Sequence, residues 1–168
     1  MALSTEIAKK FPQGIVMPKE LSLFLDYIEL CKPRYFQTHV QFYPIDEKRL
    51  SKFFSDSETV NFFGLLGKIG DGSFLAIWKN KNVQHFVLLG CHDDYNIILS
   101  STALDFIRLM SIGYGFFDED TTEQPPEENL IEKPFQEWVE QTFSVKIPKC
   151  GKEIINYNDN SFNDWLDC

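Results

Sequence analysis

Apolar and polar positions along this chain repeat with two different periods, and the changes of period mark its elements. From Pro18 to Cys31, Leu21, Phe24, Leu25 and Ile28 fall at i, i+3, i+4 and i+7, which predicts a helix with one side on a core. Lys19, Glu20, Asp26 and Glu29 occupy its wet side. Pro18 suits a first helical turn, where its missing N–H would be unpaired anyway, and Pro33 biases Lys32 away from helix. Tyr35 to Tyr43 alternates instead, with Phe36, Val40 and Phe42 on one side and Gln37, His39 and Gln41 on the other. That pattern predicts a half-exposed strand near a sheet edge. A short polar helix is expected from Glu47 to Ser55. Thr59 to Leu66 is expected as a strand, although the Phe62-Phe63 and Leu65-Leu66 pairs leave helix open.

Phe74 to Trp78, Gln84 to Leu89 and Tyr95 to Leu99 are apolar on nearly every position, and short turn-like links join them. They predict an antiparallel meander. Lys79-Asn80-Lys81-Asn82 supplies residues that tolerate turn geometry, and Gly90 to Asp94 supplies the second reversal. A sheet with no wet face needs helices on both sides. Thr102 followed by Asp105 resembles a capping box. The helix it opens runs to about Ser111, with Ala103, Phe106, Ile107 and Met110 buried and Asp105, Arg108 and Ser111 opposite. Gly113 is a natural stop.

Asp118 to Lys133 carries Asp118, Glu119, Asp120, Glu123, Glu127, Glu128 and Glu132 around Pro125-Pro126, and predicts an extended, solvated loop. Beyond it, Phe135, Trp138 and Val139 share their spacing with Phe162, Trp165 and Leu166, each set an amphipathic helical turn. Pro134 opens the first, and Ser161 with Asp164 is expected to cap the second. Both Trp residues are expected to dock onto the sheet.

The 168 residues suffice for one domain, 1–168, and a domain of that size buries about 70% of its unfolded surface. With 16 Phe among them, the core is expected to be Phe-rich. No run approaches the ~18 apolar residues of a membrane span, and Met1 to Lys10 shows neither a charged leader nor a cleavage site. A cytoplasmic protein without a membrane partner is therefore expected. Cys31, Cys91, Cys150 and Cys168 show no paired spacing, which favours free thiols over a disulfide framework. The net charge of -9 is uneven: residues 1–110 contain 12 acids and 12 bases, residues 111–168 contain 13 acids and 4 bases. Such a field disfavours nucleic acid, which needs cations at its phosphates, and favours a basic protein partner.

Candidate chemistry is thin. Gly64, Gly67, Gly70 and Gly72 lack the Lys-Ser/Thr ending of a phosphate loop and read as a turn before a strand. Cys91, His92, Asp93 and Asp94 are metal-ligand types, but adjacent residues rarely converge on one ion, and nothing in the chain joins His39 or His85 to them. Gly70-Asp71-Gly72-Ser73-Phe74 only superficially matches a nucleophile elbow. No catalytic residue, metal site or cofactor is expected.

Gly72, Ala76-Ile77-Trp78, Val87-Leu88-Leu89-Gly90, Asp105-Phe106-Ile107 and Gly113-Tyr114, taken in order, resemble the SUKH superfamily, which includes a yeast cell-wall synthesis regulator and many bacterial immunity proteins. Phe135-x-x-Trp138, Pro148, Gly151 and Phe162-x-x-Trp165 are similar to the C-terminal helices of one bacterial branch, so the likeness spans about Pro18 to Leu166. Tyr27 to Cys31 departs from it, because family members often carry a Gly-rich break there. The resemblance implies an α+β fold, one central and mainly antiparallel sheet with helices packed around it, and no catalytic site. It further implies an intracellular immunity protein that binds and neutralises a toxin domain, a nuclease or deaminase, the alternative being a regulatory scaffold that recruits cellular proteins. The residues expected at a partner surface are Asp118, Glu119, Asp120, Glu123, Glu127 and Glu128, with Tyr114, Phe116 and Phe117 as aromatic anchors.

Overall fold

Every residue of β3 (Phe74–Asn80) from Phe74 to Trp78 is buried, because this strand lies in the middle of the sheet with a layer on each side. The computed structural model describes residues 1–91, 95–127 and 132–168. Among them β1 (Val40–Phe42), β2 (Phe63–Ile69), β3, β4 (Val83–Leu89) and β5 (Asn96–Ser100) form one antiparallel sheet in sequence order. β3 and β4 pair without interruption from Phe74–Leu89 to Asn80–Val83, and Lys81, at φ 56°, turns the chain between them. The meander follows the three apolar runs of the sequence closely.

Consecutive residues of a strand point to opposite faces, so one apolar run builds two cores. Leu66, Ile69, Leu75, Ile77, Phe86, Leu88 and Leu99 form one of them with α1 (Leu3–Ala8), α2 (Lys19–Cys31), α3 (Tyr35–Thr38), α4 (Ala103–Met110) and α6 (Lys133–Phe143). Phe63, Leu65, Phe74, Ala76, Trp78, Val87, Leu89 and Ile98 form the other. Its cover is thinner: Leu50 from the 3-10 turn Glu47–Lys52, and Phe162 from α7 (Ser161–Leu166), with Trp165 packed beside it. Thr102 caps α4 as its spacing predicts, accepting the Asp105 N–H at 3.1 Å.

Several local expectations are corrected. Tyr35 to Thr38 is helical, and only Val40–Phe42 is strand. Tyr35 and Phe36 are adjacent and both buried, which one face of a strand cannot achieve, and the Glu132 carboxylate accepts the N–H groups of Arg34 and Tyr35 at 2.9 and 3.1 Å. Thr59–Phe62 is a 3-10 turn, so β2 starts at Phe63. Gly64 and Gly67 lie within β2, and only Gly70 and Gly72 belong to the turn that follows. A Cβ on Gly67 would collide with the Gln41 backbone carbonyl, so β1 can approach β2 only over a glycine.

Ser111 is buried, with its hydroxyl donating to the Ile107 carbonyl at 2.7 Å. At α7 the expected Ser161 and Asp164 cap is replaced by Asp159, which accepts both the N–H and the hydroxyl of Ser161. Trp165 does reach the sheet, 5.4 Å from Trp78 and 5.8 Å from Phe63 between ring centroids. Trp138 instead stacks on Tyr27 of α2, at 3.6 Å.

Gly67→Ala tests the β1–β2 approach. Overpacking of this kind destabilises by about 1–3 kcal/mol. Urea denaturation is expected to show a lower midpoint with an unchanged slope; an unchanged midpoint would mean that β1 moves aside freely.

Candidate functional site

After α4, Gly113 at φ 109° turns the chain and delivers Tyr114 inward, where it is 1% exposed. Its hydroxyl donates to the Gln124 carbonyl at 2.6 Å and accepts the Gly151 N–H at 2.9 Å. One phenol therefore joins three segments distant in sequence. Burial pushes the Tyr114 hydroxyl above its ordinary pKa despite the Gly151 N–H, which works the other way. Gly151 allows this closure, since a Cβ there would lie 2.9 Å from the Thr122 side chain and 3.1 Å from the Tyr114 ring.

The bound segment contains α5 (Glu119–Glu123), a five-residue helix far too short to persist alone. Asp118 caps it, one carboxylate oxygen accepting the Thr121 N–H at 2.8 Å and the other the Thr121 hydroxyl at 2.7 Å. Burial works to raise the Asp118 carboxyl, but these hydrogen bonds outweigh it and keep it below the usual carboxylate value. Thr122 is fully buried, donates to the Asp118 carbonyl at 2.9 Å, and meets the Tyr157 hydroxyl at 2.5 Å. The Phe117 carbonyl accepts from Tyr157 at 3.0 Å and from Tyr95 at 3.2 Å. Three tyrosines thus hold the acidic segment against the body.

The held helix turns its acids outward. Glu119, Asp120, Glu123 and Glu127 are exposed, and so is Phe116, at 53%. Glu123 pairs with Lys152 at 2.8 Å, while no ion pair among the described residues involves Glu119 or Asp120. Between α5 and the tyrosines lies a groove of about 420 Å³, lined by Tyr95, Asn96, Ile97, Asp118, Glu119, Asp120, Tyr157 and Asn163. Three carboxylates line it, and Tyr95 is pushed up to about 12, by burial first and then by Asp118 and Glu119. Tyr157 rises too, by burial first and then by Tyr95, Asp118 and Glu119, against the Thr122 hydrogen bond.

The expected partner surface is therefore rearranged. Tyr114 and Phe117 are each 1% exposed and position the helix, so they are not available as anchors; Phe116 is. Asp118 is committed to its cap. Glu119, Asp120, Glu123 and Glu127 are at the surface, and Glu128 lies outside the described residues. The extended loop expected from Asp118 onward is instead folded as far as Glu123. Sequence reasoning missed Tyr95, Thr122 and Tyr157 at this site. Gly151 was visible only through the family likeness, and no local pattern marks the other three.

The remaining candidates do not assemble. Cys91 places its thiol 2.9 Å from the Asp71 carbonyl oxygen, and His92, Asp93 and Asp94 lie outside the described residues. His39 packs on Tyr35 and His85 on Trp78, on different elements. Among the described residues no group of three His, Cys, Asp or Glu side chains could hold a metal ion, and no helix is long and apolar enough to cross a membrane. No family model, no curated protein and no solved structure matches the chain.

Tyr114→Phe leaves the Gly151 N–H and the Gln124 carbonyl unpaired, a loss of about 1–3 kcal/mol. It is expected to speed amide exchange throughout α5, whereas Phe116→Ala changes stability by no more than about 0.5 kcal/mol. Equal effects of the two variants would contradict the bracing role. Asp118 has a depressed pKa when folded, so its contribution is full above the ordinary Asp value of about 4 and is lost as pH falls through the folded value. Denaturation of Asp118→Asn is therefore expected to show lower stability at neutral pH and a shallower acid limb; parallel limbs would contradict the cap.

Proposed function

We propose that this chain is a non-catalytic immunity protein that binds and neutralises a toxin domain with a basic surface, a nuclease or deaminase. One observation carries the reading: α5 displays Glu119 and Asp120, unpaired with any cation among the described residues, beside the exposed ring of Phe116. The acids sit in a part of the chain with 13 acids and 4 bases, so a cationic partner is steered toward them. Phe116 supplies apolar area at their edge, where an aromatic can act as an anchor. The helix is braced before any partner arrives, so little ordering entropy opposes binding. The toxin class comes from the SUKH likeness, and the charge pattern is compatible with the cationic cleft of an enzyme that handles nucleic acid. The alternative, a scaffold recruiting cellular proteins, is favoured by a different surface, the exposed Phe53 and Phe62 on the thinly covered side of the sheet.

Capture with tagged protein identifies the partner, and surface plasmon resonance at several salt concentrations tests the surface. The double variant Glu119→Gln, Asp120→Asn is expected to slow association about 10-fold or more at low salt and to flatten its salt dependence. Glu123→Gln has a smaller effect, because Lys152 already compensates that charge. Unchanged association rates in the double variant would remove α5 from the interface, and capture of housekeeping enzymes alone would favour the scaffold.

A further inference from the structure

The groove beside α5 has features that a general acidic surface does not need. Its walls include the rings of Tyr95 and Tyr157, both tied by their hydroxyls to one acceptor, the Phe117 carbonyl. Neither ring can swing away without breaking that bond. Glu119 and Asp120 stand at the rim on a capped helix, and Asn163 enters from α7. The Asn163 amide nitrogen donates to the Asn96 carbonyl at 3.0 Å, while its amide oxygen accepts no hydrogen bond among the described residues. The groove therefore combines aromatic walls, two exposed carboxylates and a neutral acceptor, with no cationic residue among the described residues of its lining.

We propose that this groove is a docking site for an arginine side chain of the partner protein, with its guanidinium between the rings of Tyr95 and Tyr157 and its N–H groups directed to Glu119, Asp120 and the Asn163 amide oxygen. Charge complementarity selects a cation and excludes phosphate or carboxylate ligands. Burial is the main reason both phenols are raised, and Asp118 and Glu119 add to the rise. The choice of arginine follows from shape. A guanidinium is planar, stacks on aromatic rings and offers five donors in a fixed fork, whereas an ammonium is a strongly hydrated point charge that gains less from such walls. The proposal rests on the reading of α5 as a partner surface and adds which side chain the surface accepts.

The test uses the full chain, labelled for NMR, and capped Ala-Arg-Arg-Ala, Ala-Lys-Lys-Ala and Ala-citrulline-citrulline-Ala peptides as probes. The arginine peptide is expected to shift the Tyr95 and Tyr157 ring signals and the Asn163 side-chain amide in a saturable manner. The lysine peptide binds more weakly, and citrulline, similar in shape but uncharged, leaves those signals in place. Tyr95→Leu weakens the arginine peptide about 2- to 5-fold, the range of an exposed cation–π contact. Asn163→Ala also removes the bond to the Asn96 carbonyl, so its weaker binding is compared at an unchanged circular-dichroism spectrum. Shifts confined to the surroundings of Glu123 and Glu127, with Tyr95, Tyr157 and Asn163 unmoved, would overturn the groove proposal while leaving the acidic surface intact. Equal binding of the arginine and lysine peptides would overturn the arginine preference. Failure of the broader reading shows separately, as unchanged association of the partner with the Glu119→Gln, Asp120→Asn variant.

Discussion

The middle of the sheet has no face that tolerates water, and the rest of the molecule is arranged around that constraint. Phe74, Leu75, Ala76, Ile77 and Trp78 are each no more than 4% exposed, so the chain has to cover both sides of β3. Residues before β2 and after β5 supply the covers. One side receives α2, α4 and α6. The other receives a 3-10 turn and α7, where Phe162 and Trp165 close over Trp78 at 4.7 and 5.4 Å between ring centroids. The Trp78 indole N–H is buried without a hydrogen-bond partner among the described residues, which costs about 1–3 kcal/mol and is offset by this aromatic packing.

Because the covers must come from the ends of the sequence, the chain after α4 has to cross back over the body, and that crossing creates the site. Tyr114 enters the core as part of the cover, and its hydroxyl then serves Gln124 and Gly151. The acidic segment is folded against the protein as a consequence. A five-residue helix rich in acids has little reason to form by itself, since Asp is a poor helix former outside the first turn. At the N-terminus those acids are well placed: Asp118 caps, and Glu119 and Asp120 sit at the positive end of the helix dipole. Local electrostatics and tertiary bracing point in the same direction.

What was legible in the sequence follows the range of the forces involved. The α2 stripe, the β3–β5 meander and the Thr102 cap depend on neighbours a few residues away, and all three could be read from spacing. Tyr35 to Thr38 alternates convincingly but is helical, because Glu132, 97 residues beyond Tyr35, satisfies its first N–H groups. The acids of the site were legible as a cluster. Their shape was not, because α5 depends on Tyr114, Gly151 and Tyr157. Tyr114 and Phe117, set between glycines and acids, looked like rim aromatics, and only the fold shows that they are the inner supports while Phe116 between them faces out. Tyr95 and Tyr157 carry no pattern of their own and become part of a site only when β5 and the chain before α7 converge on the Phe117 carbonyl.

In the proposed function a braced acidic helix, and not the thinly covered face of the sheet, receives the partner. A hydrogen-exchange footprint of the chain alone and in complex with the protein it captures tests this most directly. New protection is expected at 114–123 and around Tyr95 and Tyr157, with the segment around Phe53 and Phe62 unchanged. Protection confined to the Phe53 and Phe62 side, with α5 exchanging as in the free protein, would contradict it.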